Sequence, residues 1–107
     1  MEDDNLLRGK QKRYLRAHAH AMHPLFSVGK NGLTQAWLEQ LTGALENREL
    51  IKINLQQSAE VSVDETKAFI EDNTDIQVVQ TIGRVLVLYR IATNAENQKI
   101  SPIVESM

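Results

Sequence analysis

Hydrophobic positions recur along this chain with two different periods, and the switches between them predict its elements. Residues 6–23 carry apolar side chains at helical spacing. At about 100° per residue, Leu7, Tyr14, Leu15, His18 and Met22 fall on one side. Arg8, Lys12, Arg13, Arg16, His20 and His23 fall on the other. The pattern predicts a helix with an apolar packing stripe and a cationic outer face. Pro24 ends it, because the residue before a proline is pushed out of the α region. Leu25–Val28 is then a short first strand. A second helix is predicted over about Leu33–Asn47, with Leu33, Trp37, Leu41, Ala44 and Leu45 as its apolar stripe. Its place on that stripe gives Trp37 a core role in preference to that of a base-stacking platform.

The period then changes to two. Glu49–Gln56 alternates as a half-buried strand does, with Ile51, Ile53 and Leu55 towards the helices. Lys52, Asn54 and Gln56 face the other way. Ser62 and Glu65 have capping-box spacing and open a third helix to about Asn73, with Val63, Phe69 and Ile70 inward. Ile76–Ile82 and Val85–Ile91 flank Gly83-Arg84, which suits a two-residue hairpin turn. Val85–Tyr89 is apolar on both faces, as a central strand would be. The alternative is an exposed patch that serves a protein partner or a dimer. From Ala92 onward the chain is polar, contains Pro102 and lacks periodicity, so a loosely ordered tail is expected over residues 92–107. The order is α-β-α-β-α-β-β, an α/β chain of the α+β two-layer type with a mixed sheet. One domain spans residues 6–91, behind an acidic extension over residues 1–5.

Composition narrows the function classes. The chain has 107 residues, enough for one core. It has no cysteine, which excludes disulfides, thiolate metal sites and cysteine nucleophiles. The first residues, Met1-Glu2-Asp3-Asp4-Asn5, are acidic and unlike a secretory signal. No apolar run approaches the roughly 18 residues needed to span a bilayer. A cytoplasmic location and no membrane partner are therefore expected.

Charge is the more informative quantity. The net charge is −2. Yet residues 5–38 hold six Lys and Arg, all three histidines and no carboxylate. Such a block of one sign points to a polyanionic partner. Within it lies Gly29-Lys30-Asn31-Gly32, between a strand and a helix start. Glycines let a backbone turn and approach a ligand closely. The first N–H groups of a helix lack internal partners, and the positive end of its dipole favours phosphate. Lys30 adds a mobile charge. The other way to take the tetrapeptide is as an ordinary tight turn.

Catalysis fits less well. It requires a base beside a nucleophile or a pair of carboxylates. Ser27 and Thr34 flank the glycine loop, but no acid in residues 5–38 could orient a histidine. No enzyme activity and no cofactor are expected. His18 and His20 point to different sides of a helix, and His20 with His23 lacks a third ligand nearby, so no metal is expected either.

The chain resembles the CRM domain (chloroplast RNA splicing and ribosome maturation) in its stand-alone bacterial YhbY form. The residues concerned are Leu15-Arg16, Ala19-His20, Pro24, Gly29-Lys30-Asn31-Gly32-Leu33-Thr34, Glu49–Ile53 and Gln80–Arg90. They cover roughly residues 10–91. The resemblance implies a four-stranded mixed sheet with helices on one face, akin to the C-terminal domain of translation initiation factor three. It also implies RNA binding and, for the bacterial stand-alone members, association with precursors of the large ribosomal subunit. The family's glycine loop maps onto Gly29, Lys30, Asn31 and Gly32. Here the tail carries Glu96 and Glu105 against Lys99, where relatives often end in basic residues.

The expected site therefore joins that loop to Lys12, Arg13, Arg16, His20 and His23 of the first helix, with Lys52 and Arg84 as further contacts. Aromatic residues make up only 5% of the chain, which argues against a stacking-led mode. The expected partner is ribosomal RNA, bound by a monomer and held mainly through its phosphates.

Overall fold

The computed structural model describes residues 7–107; the acidic segment 1–5 and the first residue of the predicted helix lie outside the described residues. Helix α1 (Gly9–Ala19) leads into β1 (Pro24–Val28), α2 (Gln35–Arg48), β2 (Leu50–Leu55) and α3 (Val63–Asn73). Strands β3 (Gln77–Ile82) and β4 (Val85–Tyr89) follow, then a 3-10 turn at Ala95–Asn97 and a short α4 (Ser101–Glu105). The four strands form one sheet in the order β1-β2-β4-β3. β1 runs parallel to β2, while β4 runs antiparallel to both β2 and β3, so the sheet is mixed as the pattern predicts.

Local chemistry sets the boundaries. Trp37 donates its backbone N–H to the Thr34 hydroxyl over 3.0 Å, which caps α2 two residues later than Leu33. The predicted capping box opens α3: Glu65 N–H reaches Ser62 Oγ at 3.0 Å, and Ser62 N–H reaches Glu65 Oε1 at 2.7 Å. Gly83 turns the hairpin at φ +56°, a conformation that glycine adopts without Cβ strain.

The sheet has a core on each face. Ile51, Ile53, Leu55, Leu86 and Leu88 pack against Leu38, Leu41 and Leu45 of α2 and Ile70 of α3. Leu50, Val87 and Tyr89 point the other way and pack with Leu15 and Ala19 of α1, Val79 and Val104 of α4. The class and the mixed sheet are as expected, but helices cover both faces rather than one. The physical reason lies in β4, which is apolar on both sides and has to be covered twice. Leu86 to Tyr89 are all buried, and only Val85 at the hairpin end of the strand is half-buried.

The segment beyond Ala92 is also not the loose tail its polarity suggests. Ala92, Ser101 and Val104 are buried. Glu49 anchors them. It sits in the left-handed region at φ 66°, just past the end of α2, and is fully buried. Its carboxylate accepts backbone N–H bonds from Ala92 at 2.8 Å, Lys99 at 3.1 Å, Ile100 at 2.9 Å and Ser101 at 2.9 Å. Burial works to raise its pKa, but the donors on Ala92, Ser101 and Ile100 outweigh it and hold the carboxyl below its ordinary value. Glu46 does the same for Thr93 and Asn94, and its pKa is pulled down to about 2 chiefly by the Thr93 N–H and hydroxyl. Arg90 ties Glu46 to Asp75 at 2.9 and 2.8 Å. None of these pairings is local in sequence, so periodicity gave no sign of them.

Candidate functional site

Gly29–Gly32 forms a tight turn closed by a 3.0 Å bond from Gly32 N–H to Gly29 O. Gly32 sits at φ +71°. Gly29 passes so close to β2's end that a Cβ there would lie 3.0 Å from Gln56 Oε1. Gly32 therefore has a backbone reason to be glycine, while at Gly29 a Cβ would press only on the end of the Gln56 side chain. Lys30 and Asn31 stand out into solvent, and no hydrogen bond within the chain takes their side chains among the described residues. The turn and the first helical turn of α2 line a shallow cleft of about 310 Å³, together with Ser27, Thr34, Trp37 and Gln40. Thr34 occupies the Trp37 N–H, which leaves the N–H groups of Gln35 and Ala36 at the helix start without an intrahelical partner. Trp37 is half-buried against the core and donates its indole N–H to Ser27 O at 3.2 Å.

A larger open groove of about 660 Å³ lies on the other side of the sheet, beside α1. Arg13, Arg16 and His20 form its rim at helical spacing, with Lys52 at its wall. Ala17, Ala19, Gln80, Ile82, Val85 and Val87 complete it, and no carboxylate lines it. Lys52 donates to His20 O at 3.3 Å and Met22 O at 3.0 Å. Its ammonium thereby satisfies carbonyls at the C-terminal end of α1, where a positive charge is favoured by the helix dipole. Among the described residues, no ion pair or side-chain hydrogen bond engages Arg13 or Arg16.

β1 and β2 run between the two places. Alternation puts Lys52 and Asn54 on the α1 face of β2. Ser27 of β1 lies beside Asn54 and donates its hydroxyl to Asn54 Oδ1 at 2.6 Å. Ser27 in turn lines the loop cleft. Since Val28 pairs with Leu55, the loop starts about 10–13 Å along the strand from the level of Lys52. The loop cleft opens beside α2 and the groove beside α1, on opposite faces of the sheet, and no residue lines both.

The remaining expected contacts are more peripheral. His23 is exposed ahead of β1, opposite the loop, and Lys12 is half-buried on α1. Arg84 donates from its guanidinium to Leu55 O at 3.1 Å and Gln56 O at 2.6 Å, which fastens the β3–β4 turn to the end of β2 beside Gly29. His18 is exposed and stacks on Tyr14 with ring centroids 5.9 Å apart. Among the described residues, no group of three or more His, Asp or Glu side chains is arranged to hold a metal ion. Sequence pattern did not single out Ala17, Gln80 and Ile82. Alternation gives the face of a strand, not whether a helix covers that stretch of it.

Residues 7–90 match the CRS1 / YhbY (CRM) domain. The chain is 41% identical over 95 residues to a Bacillus subtilis protein named probable RNA-binding protein YqeI, across 89% of this chain and 97% of that protein. It is 39% identical over 93 residues to a Haemophilus influenzae protein named RNA-binding protein, across 83% of this chain and 90% of that one. The solution structure of the Staphylococcus aureus hypothetical protein SAV1595 superposes with a TM-score of 0.70 at 37% identity, across 88% of this chain and 98% of that one. The match over nearly the whole domain, the two close relatives and the shared architecture agree: the chain belongs to the CRS1 / YhbY (CRM) domain family.

Proposed function

We propose that this protein binds RNA without catalysing a reaction, and that its target is ribosomal RNA in precursors of the large ribosomal subunit, whose assembly it assists in the cytoplasm as a monomer. The observation that carries the proposal is the cationic groove beside α1, lined by Arg13, Arg16, His20 and Lys52 and by no carboxylate. Relatives named as RNA-binding proteins support the ligand class. The loop's backbone N–H groups and Lys30 would hold one phosphate, and Arg13, Arg16, Lys12 and His20 its neighbours. Lys52 and Arg84 each spend two donors on backbone carbonyls, so they would add chiefly to the field around the site.

Cross-linking in living cells, followed by sequencing of the attached RNA, tests the target. Large-subunit ribosomal RNA is expected; recovery of messenger or transfer RNA alone rejects the assembly role. Lys30→Ala tests the loop. It should lower the slope of log affinity against log salt by about one contact. An unchanged slope removes the loop from the site.

A further inference from the structure

We infer, resting on the RNA-binding proposal above, that the groove beside α1 takes an unpaired nucleobase, so that the protein selects single-stranded RNA there by base and backbone together. Phosphate contacts need only a cationic surface. This groove has more than that. Its floor is apolar: Ile82 is 60% exposed at the open end of β3, and Val85 beside it is half-buried. Ala17 faces the same space from α1, four residues after Arg13 and three before His20. Its methyl group leaves room where most helix residues would fill it. The resulting volume, about 660 Å³, falls within the range of roughly 300–1,000 Å³ typical of small-ligand sites.

Charge selects the occupant. The rim is cationic at Arg13, Arg16, His20 and Lys52, with no acid among the lining residues, so an apolar group that enters must belong to a polyanion. A nucleobase attached to its phosphates fits that description. The groove has no aromatic ring, so one face of the base would rest on aliphatic Ile82 and Val85. An arginine guanidinium plane can stack on the other face, as in single-strand RNA recognition generally. The amide of Gln80 offers both a donor and an acceptor to the base edge. In a duplex the base faces are already stacked on their neighbours and cannot enter.

Ala17→Leu plugs the groove while keeping every cation, and leucine is nearly as good a helix former as alanine. Binding of this variant to an unstructured oligoribonucleotide and to a duplex of equal length is measured across salt concentrations, with thermal melting to check the fold. Single-strand affinity should fall about fivefold, the lower end of the scale of one lost stacking contact since no aromatic ring takes part, with the salt slope and the duplex affinity unchanged. Ile82→Ser should act in the same direction. An oligonucleotide with abasic positions should bind the wild type as weakly as the intact one binds Ala17→Leu. Wild-type single-strand affinity in both variants, or equal losses on single strand and duplex, would overturn the inference alone. Failure of the wild-type protein to bind either RNA would overturn the RNA-binding proposal as well.

Discussion

Glu49 shows how much one side chain can decide. A glutamate at φ 66° holds a conformation that costs roughly 1 kcal/mol relative to glycine, yet its carboxylate collects four backbone donors. Glu49→Ala keeps the strained backbone and loses the acceptor. It should cost about 3 kcal/mol, since hydrogen bonds to a charged group are worth about 1.5–3 kcal/mol and the donors left behind are buried. Glu49→Gly loses the same acceptor but relieves the backbone, so it should be less destabilised than Glu49→Ala by about 1 kcal/mol. Urea unfolding of the two variants measures the difference; equal midpoints would show that the backbone carries no strain. From sequence, Glu49 was simply the first residue of an alternating strand. Nothing in an isolated Glu-Leu-Ile-Lys run reveals amides about fifty residues away. By contrast, Gly32 and Gly83 declared their roles openly, because a positive φ selects glycine locally.

At the scale of elements, α1 and the segment beyond Ala92 stabilise each other. Gln11 of α1 donates to Val104 O at 2.9 Å, and Arg8 reaches the Met107 carbonyl oxygen with its guanidinium. Leu15 and Val104 share a core. The carboxylates of Glu46 and Glu49 hold the near end. Both ionise more readily in the folded protein than in the unfolded chain, so at low pH the unfolded state binds more protons. The stability they add is present above about pH 4.5 and is lost as pH falls towards about 2, the value reached by Glu46. Amide exchange at Ala92–Ser101 should therefore accelerate across that window before the strands open. Glu46→Gln should flatten the dependence of melting temperature on pH there. The elements themselves were well marked in sequence where apolar periodicity ran for two turns or more, as in α1 and α2. α4 is five residues long and depends wholly on distant partners, which is why pattern alone missed it.

For the whole molecule, the sheet separates two signs of charge. α1 lies on one face with Arg13 and Arg16, and α3 lies on the other with Asp64, Glu65, Glu71 and Asp72. A net charge of −2 conceals this polarity, which turns the basic wall towards a polyanion. Arg13→Ala with Arg16→Ala should flatten the log–log salt slope of RNA binding by about two contacts. Neutralising Asp64 and Asp72 to Asn should leave that slope unchanged. Filter binding across ionic strengths checks both; equal effects would mean that the two faces do not differ in function. The sequence showed the one-sign block and the loop, but which stretch of sheet stays open beside α1 depends on where that helix crosses it. The bonds made by the Glu49 carboxylate span 43 to 52 residues of chain. Contacts of such separation form late, because a long loop must first be closed. On that ground the distant strap is expected to reach its waiting anion last, and loosening it should hasten unfolding more than it slows folding.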